Sequence, residues 1–319
     1  MFHYLICSVT SEKGELHNGR LIKAFKSLAK TLRPRTFLLF LVISPFGSIV
    51  ASLGNLTDGI ISMMFSGFIS AFGLVLNDVE DAELDARAWK YRNPVAFGEL
   101  SRRSGYLIAL TFLLLSISMT PFLNSYNKIL GVIVIFLFYS YSSGIRVKSK
   151  PILDIAYHGL CLAIFAVMGY LSQRPPDIPC FLFSAVIFFL SCVSQTLQEI
   201  RDWEFDRKGI ETTVTKLGRK NSLILCLVFF SIVYGLFATA FLVGILPFEY
   251  LLLSPLTYFV VSPVVKTIRD MKYLDDTIRL INNRVPILTV VLIVGFLLIR
   301  SSLLFQWISS VAPRCFHQS

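Results

Sequence analysis

Charge is what this sequence has least of. Only 16% of its 319 residues are charged, against about 25% in an ordinary soluble domain. Hydrophobic residues make up 55%, and mean hydropathy is +0.68. That balance excludes a soluble globular protein. The six cysteines are scattered, with no CxxC and no histidine at ligand spacing, so neither a disulfide framework nor a zinc site is expected. The opening MFHYLICSVTSEKGELHNGR lacks a basic stretch before its short apolar run and a small-residue cleavage pattern. It reads as a loose tail rather than a signal peptide. Acids are scarcer than bases, 20 against 30, leaving a net charge of +10. In a polar chain this would suggest nucleic acid; here it must first be tested as membrane orientation, and no nucleic-acid partner is expected.

What is present is a series of long apolar runs. A membrane-spanning helix needs about 20 mostly apolar residues, and nine runs qualify, near 36–53, 58–78, 105–122, 129–142, 152–172, 178–200, 221–246, 250–267 and 286–305. The fourth is the weakest, its core ILGVIVIFLFYSY being short. Alternating spans place 26 of the 30 lysines and arginines on the side that holds the N-terminus, leaving Lys128, Arg174, Arg300 and Arg314 opposite. Positive charge collects on the cytoplasmic face. The chain is therefore expected to be an integral, polytopic membrane protein with its N-terminus cytoplasmic and its C-terminus on the other side, in the plasma membrane of a prokaryote. Before the first span, Leu21, Ile22, Phe25, Leu28 and Leu32 recur at helical spacing with lysines between them, the pattern of an interfacial amphipathic helix.

The acids are concentrated. Five of the twenty lie between Asn77 and Asp85 and five between Glu199 and Glu211. Each window begins at the cytoplasmic end of an apolar span, where a carboxylate pushed into hydrocarbon would cost roughly 3 kcal/mol or more. In the first, Asn77, Asp81 and Asp85 recur every four residues, so a continuing helix stacks them in one row. Gln198, Asp202 and Asp206 repeat the pattern 121 residues on, and a base follows two positions after the last Asp in both, Arg87 and Lys208. This implies an internal duplication of a four-helix unit, ending spans two and six, with two units around a shared cavity and a ninth helix outside the repeat.

Two such rows facing each other would repel unless something positive lay between them. Magnesium meets that need: it takes one or two carboxylates and completes its shell with water and substrate phosphate oxygens, whereas calcium wants a denser oxygen cage. Metal between two acid rows makes a diphosphate clamp. A diphosphate at the mouth of an apolar bundle suggests a polyprenyl diphosphate, whose allylic C–O bond would break with metal-stabilised charge on the leaving group. The 28 Phe and 12 Tyr could line the chamber for the chain, though any single aromatic is more simply core or lipid-facing packing.

At this point the chain resembles a family. NDVEDAELD (Asn77 to Asp85) matches the NDxxDxxxD motif of the UbiA superfamily of intramembrane prenyltransferases, and RDWEFD (Arg201 to Asp206) matches its second motif, DxxxD. LRPRTF, RNPVAFGELS and GIETTVTKLGR extend the likeness along the chain. The resemblance implies that Asn77, Asp81, Asp85, Asp202 and Asp206 hold two magnesium ions on the prenyl diphosphate. It also implies that the prenyl chain passes to a lipophilic or aromatic acceptor. Members act on quinone precursors, tetrapyrroles, archaeal glycerol lipids, sugar phosphates and carotenoids; RNPVAFGELS and GIETTVTKLGR lean towards the archaeal-like and chlorophyll-like branches. One departure is the loop after span four, where members carry YxxxK but YSYSSGIRVKSK sets Arg146 and Lys148 at longer spacing. Those two, Arg33, Arg87 and Lys208 are the candidate diphosphate contacts, with Arg201 a weaker one; positive-inside loop charge is the plainer alternative for Arg146 and Lys148.

Asp154 and His158 stand four apart and read first as a hydrogen-bonded pair, second as a proton relay or acceptor contact. The 266–284 loop reads as a cytoplasmic cap or as a solvated face. The expected layout is a tail with amphipathic helix over 1–35, a nine-helix all-α domain over 36–305 and a short tail over 306–319. A transporter using the acidic helix ends as an ion site is the alternative. It would place acids at mid-membrane, and these lie at helix ends. A soluble-type chain elongase with paired Asp-rich helices is excluded by the apolar spans.

Overall fold

The computed structural model describes residues 26–51, 54–244 and 254–281, together with 283, 287 and 291. Residues 1–25, with Leu21, Ile22 and Phe25 of the amphipathic stretch, the ninth expected span apart from 287 and 291, and the tail over 306–319 lie outside the described residues. Among the described residues all regular structure is helical. We label the helices α1 (Pro34–Val50), α2 (Leu56–Glu80), α3 (Ala82–Arg87), α4 (Arg102–Met119), α5 (Ser125–Ser142), α6 (Leu153–Leu171), α7 (Ile178–Asp206), α8 (Thr213–Leu217), α9 (Arg219–Leu242) and α10 (Ser254–Arg269).

Side chains set half of these helix starts. Asn55, Ser101, Asn124 and Asp177 each accept a hydrogen bond from a backbone amide in the first turn that follows. α1 has no side-chain cap and starts on Pro34, which disfavours right-handed helical geometry at Arg33. Arg33 has φ 49°, and the short helix Lys26–Leu32 meets the next at 58°. That short helix does not simply float at an interface, because Leu28 and Leu32 pack on the main core while Ser27 and Thr31 are buried.

Five of the described helices are long and apolar enough to cross a bilayer (Leu56–Glu80, Arg102–Phe122, Leu153–Leu171, Ile178–Asp206 and Arg219–Leu242), and the bent pair at Arg33 is a sixth candidate. α5 and α10 form where spans four and eight are expected but, at 18 and 16 residues, fall outside that set. α7 runs six residues past its expected end at 200 and carries the whole second acid row in one helix.

Two cores hold the bundle. One joins α1, α2, α4, α5 and α6 through residues such as Phe40, Phe65, Ile69, Val134 and Phe165. The other gathers Val193, Leu197 and Ile200 of α7 with Leu223 and Phe230 of α9, Val264 of α10, and Leu274 and Ile281 beyond it. Between α1 and α6 the backbones nearly touch. A Cβ on Gly169 would lie 1.7 Å from the Ser44 carbonyl oxygen, and one on Gly47 would lie 1.9 Å from that of Ala166. Ser48 Oγ donates across this seam to the Gly169 carbonyl at 2.9 Å. Small residues that admit such approach are how helices associate without a hydrophobic drive.

Candidate functional site

The first row is not one continuous helix. α2 stops at Glu80, Asp81 takes φ −90° and ψ 0°, and α3 resumes at Ala82. Its spacing survives, because the amides of Asp81 and Asp85 still donate to the carbonyls of Asn77 and Asp81, at 3.0 and 2.8 Å.

Cations from elsewhere in the chain meet both rows. Asp81 Oδ1 accepts from Lys148 Nζ at 2.6 Å and from Arg146 Nη2 at 3.0 Å. Lys148 also reaches Asn77 Oδ1 at 3.2 Å, as does Ser142 Oγ. A left-handed turn at Arg146, φ 48°, starts the short 3-10 segment that delivers both bases. Their longer spacing is therefore met by a turn rather than a helical repeat. Burial pushes the Lys148 ammonium below its ordinary pKa, and the Asp81 carboxylate opposes that push.

In the second row, Asp202 lies between Arg201, which donates through Nε at 2.8 Å and Nη2 at 3.0 Å, and Arg92, whose Nη2 is 3.0 Å away. Lys90 Nζ lies 2.6 Å from Asp206 Oδ1 and 3.7 Å from Asp85 Oδ1. One ammonium thus touches both rows. Asn93 donates to Asp85 Oδ2 at 2.9 Å and to the Asp78 carbonyl at 2.8 Å, fixing the loop that carries Lys90 and Arg92. Gln198 instead turns back towards Ser194 on its own helix.

The other expected contacts are distributed unevenly. Arg33 pairs with fully buried Asp78, not with either row. Arg33 Nε and Asp78 Oδ2 are buried with no partner. Arg87 and Lys208 are exposed and make no ion pair among the described residues. Arg87 is the last residue of α3, where residues two apart do not share a face, and Lys208 lies past the end of α7, so neither continues its row. Lys90 and Arg92 take that place. A loop, not a helix, brings them back, so their spacing from Asp85 carried no information about the partners they meet, Asp206 and Asp202.

Asp154 is fully buried, but its partner is not His158. Its Oδ2 accepts from the Thr213 amide at 2.6 Å and its Oδ1 from the Ile155 amide at 2.8 Å; the Thr213 hydroxyl and the Glu199 carboxyl bond it as well. The described part of the 266–284 stretch is helical and amphipathic; Leu274, Ile278 and Ile281 pack in the second core, so it covers the flank of α7.

Electrostatically the site is short of an anion. Burial lowers the pKa of Arg92, and the like charge of nearby Arg33 lowers it further. Six bases (Arg33, Lys90, Arg92, Arg146, Lys148 and Arg201) meet five aspartates (Asp78, Asp81, Asp85, Asp202 and Asp206) here, which leaves positive charge in excess. The donor set along the rows is all oxygen, which suits magnesium. Among the described residues no three carboxylates converge as a ready cage, since lysine and arginine heads stand between them.

Comparison with known proteins follows the same lines. The family model of the UbiA prenyltransferase family matches residues 37–280. A digeranylgeranylglyceryl phosphate synthase of Methanopyrus kandleri is 26% identical over 239 residues, covering 73% of this chain and 84% of that protein. Coumarin 8-geranyltransferase 1, a chloroplastic protein of Citrus limon, is 32% identical over 180 residues, covering 50% of this chain and 42% of its own length. The chain thus spans less than half of that plant relative. Among solved structures, a UbiA homolog from Archaeoglobus fulgidus bound to GPP and Mg2+ superposes with a TM-score of 0.66 at 20% identity, covering 86% of this chain and all of the other. The chain belongs to the UbiA prenyltransferase family.

Proposed function

We propose that the protein is a magnesium-dependent intramembrane prenyltransferase. It moves a polyprenyl group from a prenyl diphosphate to a lipophilic or aromatic acceptor and releases diphosphate. The observation that carries this reading is Lys90, whose single ammonium meets Asp85 of one row and Asp206 of the other. The two rows therefore oppose each other across a gap of cation size.

In this reading Asn77, Asp81, Asp85, Asp202 and Asp206 hold two magnesium ions. Magnesium, when bound, neutralises the diphosphate oxygens and makes diphosphate a better leaving group. Lys148, Arg146, Lys90, Arg92 and Arg33 supply the remaining positive charge. Of these, Lys90 and Arg92 take the part that the repeat assigned to Arg87 and Lys208. The C1–O bond breaks with its electron pair on diphosphate, the acceptor forms a bond to C1, and the acceptor loses a proton. Phe40, Phe138 and Phe165 pack edge to face and stacked within 6.1 Å in the core shared by α1, α5 and α6.

The architecture belongs to the same proposal: nine spans, two four-helix units around one cavity, cytoplasmic N-terminus and exported C-terminus. A reporter fused to the C-terminus is expected to be active outside; a cytoplasmic signal would remove one span. The activity is tested by incubating purified protein in lipid with labelled geranylgeranyl diphosphate, magnesium and a panel of acceptors. The panel comprises 4-hydroxybenzoate, a hydroxylated coumarin and geranylgeranylglyceryl phosphate, and products are identified by mass. Prenylated product that vanishes with a metal chelator is expected. Diphosphate binding with no product on any acceptor would overturn the reading.

A further inference from the structure

Away from the acid rows, α10 carries a surface cavity of about 400 Å³, within the size range of small-molecule sites. Its floor is one stripe of the helix, on which Tyr258, Val261, Ser262, Val265 and Arg269 recur at three- and four-residue steps. The far side of α10, with Val260 and Val264, packs in the second core. Just past Arg269 the chain reverses. The Asp270 carboxylate accepts from the Lys272 amide at 3.1 Å, and Tyr273 comes back so that its ring centre lies 3.8 Å from Lys266 Nζ. Helix and turn together frame the cavity.

Its charge is one-sided. Asp270 is compensated by Lys272 at 2.7 Å, whereas Lys266 and Arg269 are exposed and make no ion pair among the described residues. Bases in the last turn of a helix complement its dipole, which accounts for their presence but not for the cavity they flank. Leu274, next after Tyr273, packs with Leu197 and Ile200 near the end of α7. The basic end of the cavity therefore lies level with the second acid row, where the bundle meets lipid headgroups. Tyrosine and basic side chains gather at that depth of a membrane. From Arg269 back to Tyr258 is about 16 Å along the helix at 1.5 Å per residue, far enough to run from headgroup level into the acyl region.

We infer that this cavity binds one anionic phospholipid, with Lys266 and Arg269 on its phosphate and the stripe from Val265 to Tyr258 along its first acyl carbons. A zwitterionic lipid would bring its own cation against the two bases, and a free phosphate would leave the apolar stripe unused. None of these residues belongs to the acid rows, so the site stands apart from the transferase reading.

The test titrates full-length protein in detergent with short-chain phosphatidylglycerol, with phosphatidylcholine of the same chains and with inorganic phosphate, and counts complexes by native mass spectrometry. Wild type is expected to bind phosphatidylglycerol about tenfold more tightly than phosphatidylcholine. Lys266→Gln with Arg269→Gln should abolish that preference. Ser262→Trp, which keeps both charges and fills the floor, should weaken phosphatidylglycerol binding to a similar degree; should it not fold, the smaller Ser262→Phe carries the same comparison. Arg103→Gln with Lys220→Gln removes equal charge from exposed bases at the starts of α4 and α9 and should change nothing. A preference that survives the first pair overturns the inference, as does one lost equally in the second pair, which would trace it to overall charge. Unchanged binding with the floor filled would put the lipid elsewhere and overturn it too. Inorganic phosphate displacing the lipid at equal concentration would replace the lipid with a free anion, and a wild type without preference would leave the cavity to another segment of this chain; either result overturns the inference. Prenyl transfer plays no part in the readout, so failure of one reading leaves the other standing.

Discussion

Asp81→Asn and Asp202→Asn are each expected to lower magnesium-dependent prenyl transfer by about a hundredfold or more, the scale on which removing one preorganised charge-stabilising group acts. Asn keeps the shape and one carbonyl oxygen, so Lys148 retains hydrogen-bond partners at positions 77 and 81, and Arg92 and Arg201 retain one at 202. The variants should therefore stay folded. Thermal unfolding in detergent near the wild-type midpoint, together with transfer assays across a magnesium titration, separates lost chemistry from lost structure. Wild-type rates in both variants would end the case for opposed carboxylate rows. A loss in Asp81→Asn alone would mean that the second row has another role.

The second large effect is structural. Gly169→Val places a branched side chain where even a Cβ would overlap the Ser44 carbonyl. α1 and α6 must then move apart, breaking the Ser48 bond to the Gly169 carbonyl and its contact with Ser172. Overpacking usually costs 1–3 kcal/mol; backbone against backbone has no rotamer to relieve it, so about 3 kcal/mol or more is expected. For a bundle of this size that lowers Tm by on the order of 10 °C. Gly235→Ala on α9 is the control, since nothing lies within 4 Å of its Cβ position. It should leave Tm unchanged or raise it slightly, because alanine suits a helix interior better than glycine. Equal melting of the two variants would show that α1 and α6 have slack at this crossing.

The acid rows were legible because their spacing is local. Asn77, Asp81 and Asp85 are related by the backbone they share, and their spacing persists even though the helix breaks at Asp81. The first eight apolar runs were legible for the same reason, each close to a described helix from Pro34–Val50 to Ser254–Arg269. What was not legible depends on distant chain. Lys90 meets Asp206 across 116 residues. Asp154 is taken by Thr213 across 59 residues, which no i, i+4 rule could anticipate. Arg87 and Lys208 were drawn in by a repeat in the sequence, but repetition says nothing about azimuth, and both face outward. The pairing of Arg33 with Asp78, 45 residues on, had no cue in the spacing either.

The position of Lys90 has a consequence for how the site fills. On the proposed reading, a tethered ammonium that already compensates Asp85 and Asp206 means that divalent ions would load by exchange, not by simple addition. Each ion must first evict an internal competitor whose local concentration is set by a short loop. The chain is thereby protected from self-repulsion when empty, at the expense of intrinsic metal affinity. The displaced head is then free to reach the phosphate oxygens that arrive with the metal, so cation and substrate should load together more readily than either alone.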